Sequence, residues 1–247
     1  MKKLILIACA LALVAPLGCK KKEGESDDKS IARKYALYQV SVYKDRDFKE
    51  WLATLEKAES VDLLKEEQYI NQKRMQIDLS QVKLADGKEG YLESKHLADK
   101  PIVFIEESTR LFVRPNMGSK VFCTVPKGTI GFIKEEKADW AMVYIGNLDG
   151  KWVTGQWTKG GYSADENLVV EAKDYEAALA LLKEQKPEKK DAAQKSAKEK
   201  LSELAKGSSV IAALAKAKLD ELEGKPAMEG GMGVDESPET AADKSME

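Results

Sequence analysis

Histidine and cysteine are scarce in this chain of 247 residues: it has one histidine, His96, and three cysteines, Cys9, Cys19 and Cys123. One histidine excludes a histidine-based zinc cluster, and the thiols are too few to complete one. A cysteine–histidine nucleophilic pair would have to use Cys123 and His96, and both fall inside segments that read as structural. His96 sits in Leu92-Glu93-Ser94-Lys95-His96-Leu97 and is expected on the surface. A glycine-rich phosphate loop is missing. A basic excess is missing too: 40 basic side chains face 42 acidic ones, without a basic block, so nucleic acid has no electrostatic footprint here. The acidic pairs Glu66-Glu67 and Glu135-Glu136 each follow a core-like strand into what reads as a solvated turn, not a glycosidase acid/base pair. These absences point away from an enzyme and leave no cofactor or metal to expect. The longest apolar run, Leu4 to Ala15, is about twelve residues, where a membrane span needs roughly 20.

That run follows Lys2 and Lys3 and precedes Leu17-Gly18-Cys19, the layout of a cleaved signal peptide over residues 1–18. The cysteine after a small residue resembles the lipobox of bacterial lipoproteins, whose cysteine is acylated and becomes the mature N-terminus. Pro16 stands where the usual pattern has leucine, which resembles the looser lipoboxes of spirochaetes. The resemblance implies lipidation of Cys19 and a membrane anchor through that lipid; two or more acyl chains anchor stably where one does not. Without Lys2 and Lys3 the mature charge is 38 basic against 42 acidic, or about −4. Cys123 then has no intramolecular disulfide partner, and its apolar setting (Val121-Phe122-Cys123-Thr124-Val125) suggests a buried, inert thiol.

Past the leader, residues 19–30 are charged and polar and read as a stalk. From residue 31 to about 168, short runs of Val, Ile, Tyr, Phe and Trp between turn residues argue for strands. Residues 173–224 shift to Ala, Leu, Lys and Glu at helical spacing, divided by Pro187 and Gly207 into two or three helices. The tail, 225–247, has no periodicity and is expected to be disordered.

The strand-rich part repeats itself with an offset of about 70 residues. Thr54 to Ala58 matches Thr124 to Gly128, Val61 to Glu67 matches Ile130 to Glu136, and Gly90-Tyr91 with Leu97 matches Gly161-Tyr162 with Leu168. The second copy resembles bacterial SH3-like domains: Leu111-Phe112-Val113-Arg114-Pro115 is similar to their opening strand and turn. Val125 to Thr129 is similar to their lysine–glycine turn, Trp140 to Val143 to a central strand, and Gly161 to Leu168 to the closing segment. The first copy, opening at Val40-Ser41-Val42-Tyr43, is more diverged; it carries Lys44-Asp45-Arg46-Asp47 in the turn and a polar excursion from Gln68 to Gln76. The expectation is a mainly β protein with two small SH3-like barrels, residues 31–105 and 106–172, then the helical segment and tail.

The resemblance implies a non-catalytic binding module. Candidate ligand contacts are Trp152 and Trp157, in a glycine-containing hairpin, with Trp140, Tyr162 and Tyr91 behind them. The ligand expected first is peptidoglycan or another envelope component. The alternatives are an outward-facing adhesin for host or extracellular proteins and a structural accessory whose helices dock an envelope partner. Lys20 after Cys19, with no aspartate there, favours the outer membrane over the inner in the enteric sorting pattern.

Overall fold

The structure, a computed structural model, describes residues 30–72 and 74–224. The leader, Cys19, the stalk up to residue 29 and the tail 225–247 lie outside the described residues.

Sixteen strands and three α-helices are described, and the fold is mainly β. The first seven strands are β1 (Ala32–Ala36), β2 (Val40–Tyr43), β3 (Trp51–Leu55), β4 (Ser60–Ile70), β5 (Gln76–Lys83), β6 (Glu89–Glu93) and β7 (Leu97–Ala98). They form one antiparallel sheet in the order β3-β2-β6-β5-β4-β1-β7. A second set follows: β8 (Lys100–Phe104), β9 (Ser108–Phe112), β10 (Val121–Pro126), β11 (Ile130–Lys137), β12 (Trp140–Tyr144), β15 (Gln156–Thr158) and β16 (Tyr162–Ser163). Its order, β10-β9-β15-β12-β11-β8-β16, repeats the first strand for strand. The second copy adds one hairpin, β13 (Gly146–Leu148) with β14 (Lys151–Val153).

The correspondence reaches the irregularities. The β4–β5 ladder shifts register between Leu63 and Lys65, and the β11–β12 ladder shifts between Ile133 and Glu135. Ala58 N–H donates to Ala36 O and Gly128 N–H donates to Phe104 O, each at 2.8 Å, so the two turns close alike. Both turn residues are left-handed, with φ of 59° at Ala58 and 84° at Gly128. Only the second is glycine; its φ is one that L side chains rarely adopt, and a Cβ there would stand 2.6 Å from Leu214 Cδ1, which would have to shift.

Several expectations change. Strand β8 pairs with β11 and β16, so the second copy begins at Lys100, not at residue 106. The strand match is one residue out: the ladders align Ser60 with Ile130 and Asp62 with Phe132, so Leu63, not Leu64, answers Ile133. A one-residue slip moves every side chain to the other face. Here Ile130 and Phe132 are apolar because helices cover that face, whereas Ser60 is exposed. The closing segments also align differently: Tyr91 corresponds to Trp157, and Leu97 to Tyr162. Finally, the excursion from Gln68 to Gln76 is partly strand, because β4 runs on to Ile70 and β5 begins at Gln76, with Tyr69 paired to Ile77. The acidic pairs likewise lie within strands β4 and β11 rather than in turns.

Helix α1 (Glu166–Leu182) starts seven residues earlier than the composition shift at Lys173 suggests. Asp165 is its N-cap and accepts from Leu168 N–H at 3.0 Å, satisfying a free donor of the first turn. The apolar positions Val169 and Ala172 lie one turn apart and are buried, so this stretch is helix, not barrel. Helix α2 (Pro187–Leu204) has Pro187 in its first turn, where a missing N–H costs nothing. Helix α3 (Val210–Leu222) follows Gly207, with Ser209 as its cap.

Each sheet has its own core. Val42, Leu55, Val61, Leu63, Val82 and Leu92 fill the first, while Ile102, Phe104, Leu111, Val125, Ile133 and Val143 fill the second. A third cluster joins the parts: Leu37, Ala58 and Ala98 of the first copy, Val103, Ile130 and Phe132 of the second, and Val169, Ala172 and Ile211 of the helices. Ala178, Leu201 and Ala215 lock the three helices together.

Candidate functional site: a groove built twice

The first copy carries a groove of about 280 Å³ lined by Gln39, Val40, Ser41, Tyr43, Phe48, Leu92, Glu93 and His96. The second carries one of about 260 Å³ lined by Glu106, Ser108, Thr109, Arg110, Phe112, Met117, Thr158, Lys159 and Gly160. The ladders show these to be one site in two editions. Tyr43 pairs with Tyr91 as Phe112 pairs with Trp157, and Val40 faces Leu55 as Thr109 faces Val125. Phe48 follows Tyr43 by the same step as Met117 follows Phe112.

In the first groove the floor is aromatic. The rings of Tyr43 and Phe48 stand 5.3 Å apart, tilted by 51°. Phe48 has a φ of 59°, a left-handed conformation that costs a bulky L-residue energy. The loop around it enforces this: the Asp45 carboxylate accepts from the backbone N–H groups of Glu50 at 2.7 Å, Asp47 at 2.9 Å and Lys49 at 3.2 Å. Those donors, Glu50 foremost, hold the Asp45 carboxyl below its usual range. Asp47 in turn accepts from Tyr69 Oη at 2.8 Å and Gln72 Nε2 at 2.7 Å, tying the loop to the β4–β5 hairpin. Backbone strain held by a network of bonds is a mark of functional loops.

One end of this groove is closed by His96. It is partly buried, its Nδ1 hydrogen-bonds the Tyr38 hydroxyl, and the two rings meet edge-on at 5.4 Å. Burial pushes the imidazole below its ordinary value, Glu93 pulls it back up and Lys95 adds to the lowering. Glu93 is paired with Lys95 at 2.5 Å. In the second groove the loop is simpler, with Asn116 Oδ1 accepting from Gly118 N–H at 2.8 Å, and Met117 is 63% exposed.

The five aromatic residues expected to bind ligand do not form one cluster. Trp140 is 9% exposed and meets Phe112 edge-on at 5.4 Å; it is a packing residue beneath the second groove, not a contact surface. Tyr162 is half-buried against Phe104, at 6.5 Å between rings, in the place Leu97 holds in the first copy. Trp152 and Trp157 lie on different sheets: Trp152, 63% exposed, is on the β13–β14 hairpin, and Trp157 is on β15. Tyr91 and Trp157 do flank the grooves, each across the ladder from a floor aromatic, and the Arg46 guanidinium lies 5.5 Å over the Tyr91 ring. Tyr43, Phe48, Arg110, Met117 and Lys159 were not singled out by sequence. The signal was available, since Phe48 and Met117 occupy matching positions once the copies are aligned. Cys123 lies away from both grooves, and burial pushes its thiol up.

The model of one family, lipoprotein LenA, matches residues 4–225. The chain belongs to the lipoprotein LenA family. No curated protein matches it. Among solved structures, NlpC2 from Trichomonas vaginalis is similar at 15% identity and a TM-score of 0.22, over 61% of this chain and 54% of that one. The LenA-family chain thus spans about half the length of that protein. Membership makes it a bacterial lipoprotein, membrane-anchored in the cell envelope.

Proposed function

We propose that this LenA-family lipoprotein is a non-catalytic binding module, made of two SH3-like units held at a membrane by lipid on Cys19, and that it grips an extended envelope polymer, peptidoglycan in the first instance. One observation carries the reading: the same groove occurs in both copies, in one of them at the expense of a strained aromatic residue. Two grooves of one shape suit a ligand whose own chemistry recurs along its length. The matching strand orders and shared bulge support the SH3-like resemblance. The outer membrane, favoured by the residue after Cys19, is part of the same proposal.

The test is cosedimentation of the full chain, in detergent micelles, with purified peptidoglycan. Wild type is expected in the pellet, and the double variant Phe48→Ala, Met117→Ala in the supernatant with an unchanged circular dichroism spectrum. Wild type in the supernatant sinks the peptidoglycan reading. The second reading, an outward-facing adhesin for proteins, is favoured by Trp152, a large exposed ring outside either groove. It requires that protease cleave the protein on intact cells; survival until the envelope is permeabilised eliminates it.

A further inference from the structure

We infer that the two grooves are sorted by charge, and that the second is a site for a peptide carboxylate presented beside an apolar side chain. This rests on reading the grooves as ligand sites. Two matching lining positions gain positive charge: Ser41 of the first groove is answered by Arg110, and Glu93 by Lys159. A neutral residue and an anion have become two cations, on the same backbone.

Neither cation is committed elsewhere in a way that holds it. Arg110 is exposed and has no ion pair among the described residues. Lys159 pairs with Asp139 at 2.6 Å, but both side chains are half exposed, so the pair is weak and can yield to a ligand. A guanidinium binds a carboxylate through two parallel N–H donors, which favours carboxylate over a point-like anion. Phe112 and Met117 line the same groove and offer the apolar surface.

The end of the groove differs as well. Leu37 N–H donates to His96 O in the first copy, and Ile105 N–H donates to Gly161 O in the second, each at 2.9 Å. Gly161 therefore stands where His96 stands, and Glu106 where Tyr38 stands. Gly161 has a φ of 77°, and a Cβ there would lie 2.7 Å from Thr109 Oγ1 and 3.1 Å from Glu106 Oε2. No side chain plugs this end; instead a carboxylate, Glu106, borders it. Cations and a carboxylate on one lining make the groove bipolar. A peptide terminus, with its carboxylate beside amide N–H donors, satisfies both signs, whereas sulfate or phosphate meets repulsion from Glu106.

The test uses the full chain in micelles, titrated by NMR with N-acetyl-Ala-Leu as free acid, the same peptide as C-terminal amide, and inorganic sulfate and phosphate. The free acid is expected to shift the signals of Arg110 and Lys159 at least tenfold more tightly than the amide or either inorganic anion. Arg110→Gln with Lys159→Gln should abolish that preference. The converse variant, Ser41→Arg with Glu93→Lys, should create a second site and shift the first groove's signals. If acid and amide bind equally, the charge sorting is wrong while the groove reading stands. If sulfate or phosphate matches the acid, the assignment to a peptide carboxylate is wrong. If no probe moves any residue of either groove, and peptidoglycan is not pelleted with the protein, both readings fail together.

Discussion

Phe48 has a φ of 59° and packs at a tilt against Tyr43, two facts that pull its energetics in opposite directions. The left-handed conformation costs an L-residue about 1–2 kcal/mol, and the ring pair returns about 0.5–1.5 kcal/mol. Phe48→Gly removes both, so chemical denaturation should show a change within about 1 kcal/mol, while pelleting with peptidoglycan weakens. A loss of stability beyond about 3 kcal/mol, the range of core truncations, would instead make Phe48 a packing residue. His96 supplies a second prediction at this scale. Its pKa is lowered in the fold, chiefly by burial, from an ordinary value near 6.5. Folding therefore favours neutral imidazole, and the associated stability is complete above about 6.5. It declines as pH falls below that value toward the folded pKa. Melting temperature should drop between pH 7 and 5, and His96→Gln should flatten that part of the profile. An unchanged profile in the variant would assign the drop to carboxylates. These residues were hard to see in sequence. A strained φ leaves no mark on composition, and His96 reads as a surface residue until the Tyr38 contact is known.

The elements were more legible than their register. Alternating apolar residues, turn glycines, Pro187 and Gly207 located the strands and divided the helices, because those signals are local. The alignment of the copies failed where tertiary context altered the pattern. Ile130 and Phe132 look like barrel residues, yet they face Val169, Ala172 and Ile211. Their counterparts Ser60 and Asp62 lie outside that cluster and are polar. The start of α1 was missed for a related reason: Leu168 and Val169 fit a closing strand as well as a helix, and Asp165 as N-cap decides the matter. This packing predicts that Ile211→Ala, fully buried at the joint, destabilises by about 2–5 kcal/mol in calorimetry. Gly128→Ala should also destabilise, since its φ of 84° is strained for alanine and the new Cβ meets Leu214 at 2.6 Å. By contrast, Ala58 already tolerates the same turn, so Ala58→Gly should change stability little. If Ile211→Ala is silent, the helices do not contribute to the joint core.

At the scale of the molecule, the joint cluster decides how the protein unfolds. Beads on a string would melt one by one, because each sheet has its own core. Here Leu37, Ala58 and Ala98 of the first copy share a cluster with Val103, Ile130 and Phe132 of the second, and the helices cover it. Tyr38 reaches Tyr144 across the copies at 6.4 Å between rings, and Lys57 pairs with Glu176 of α1 at 3.2 Å. Separating any part exposes apolar area worth about 25 cal/mol per Å², so partial unfolding is penalised and the described residues should melt in one transition. Calorimetry checks this: a single peak with equal calorimetric and van't Hoff enthalpies is expected, and two resolved peaks would refute it. Ile211→Ala should then move the whole peak downward without splitting it. On the proposed function a fixed joint also has a binding consequence, since the second groove would meet a polymer held by the first at a high effective concentration. Phe48→Ala alone should therefore weaken pelleting with peptidoglycan by about 10²-fold or more, yet leave the second groove's affinity for the free-acid peptide unchanged. Equal weakening of both would mean that the grooves are coupled through structure rather than through a shared ligand.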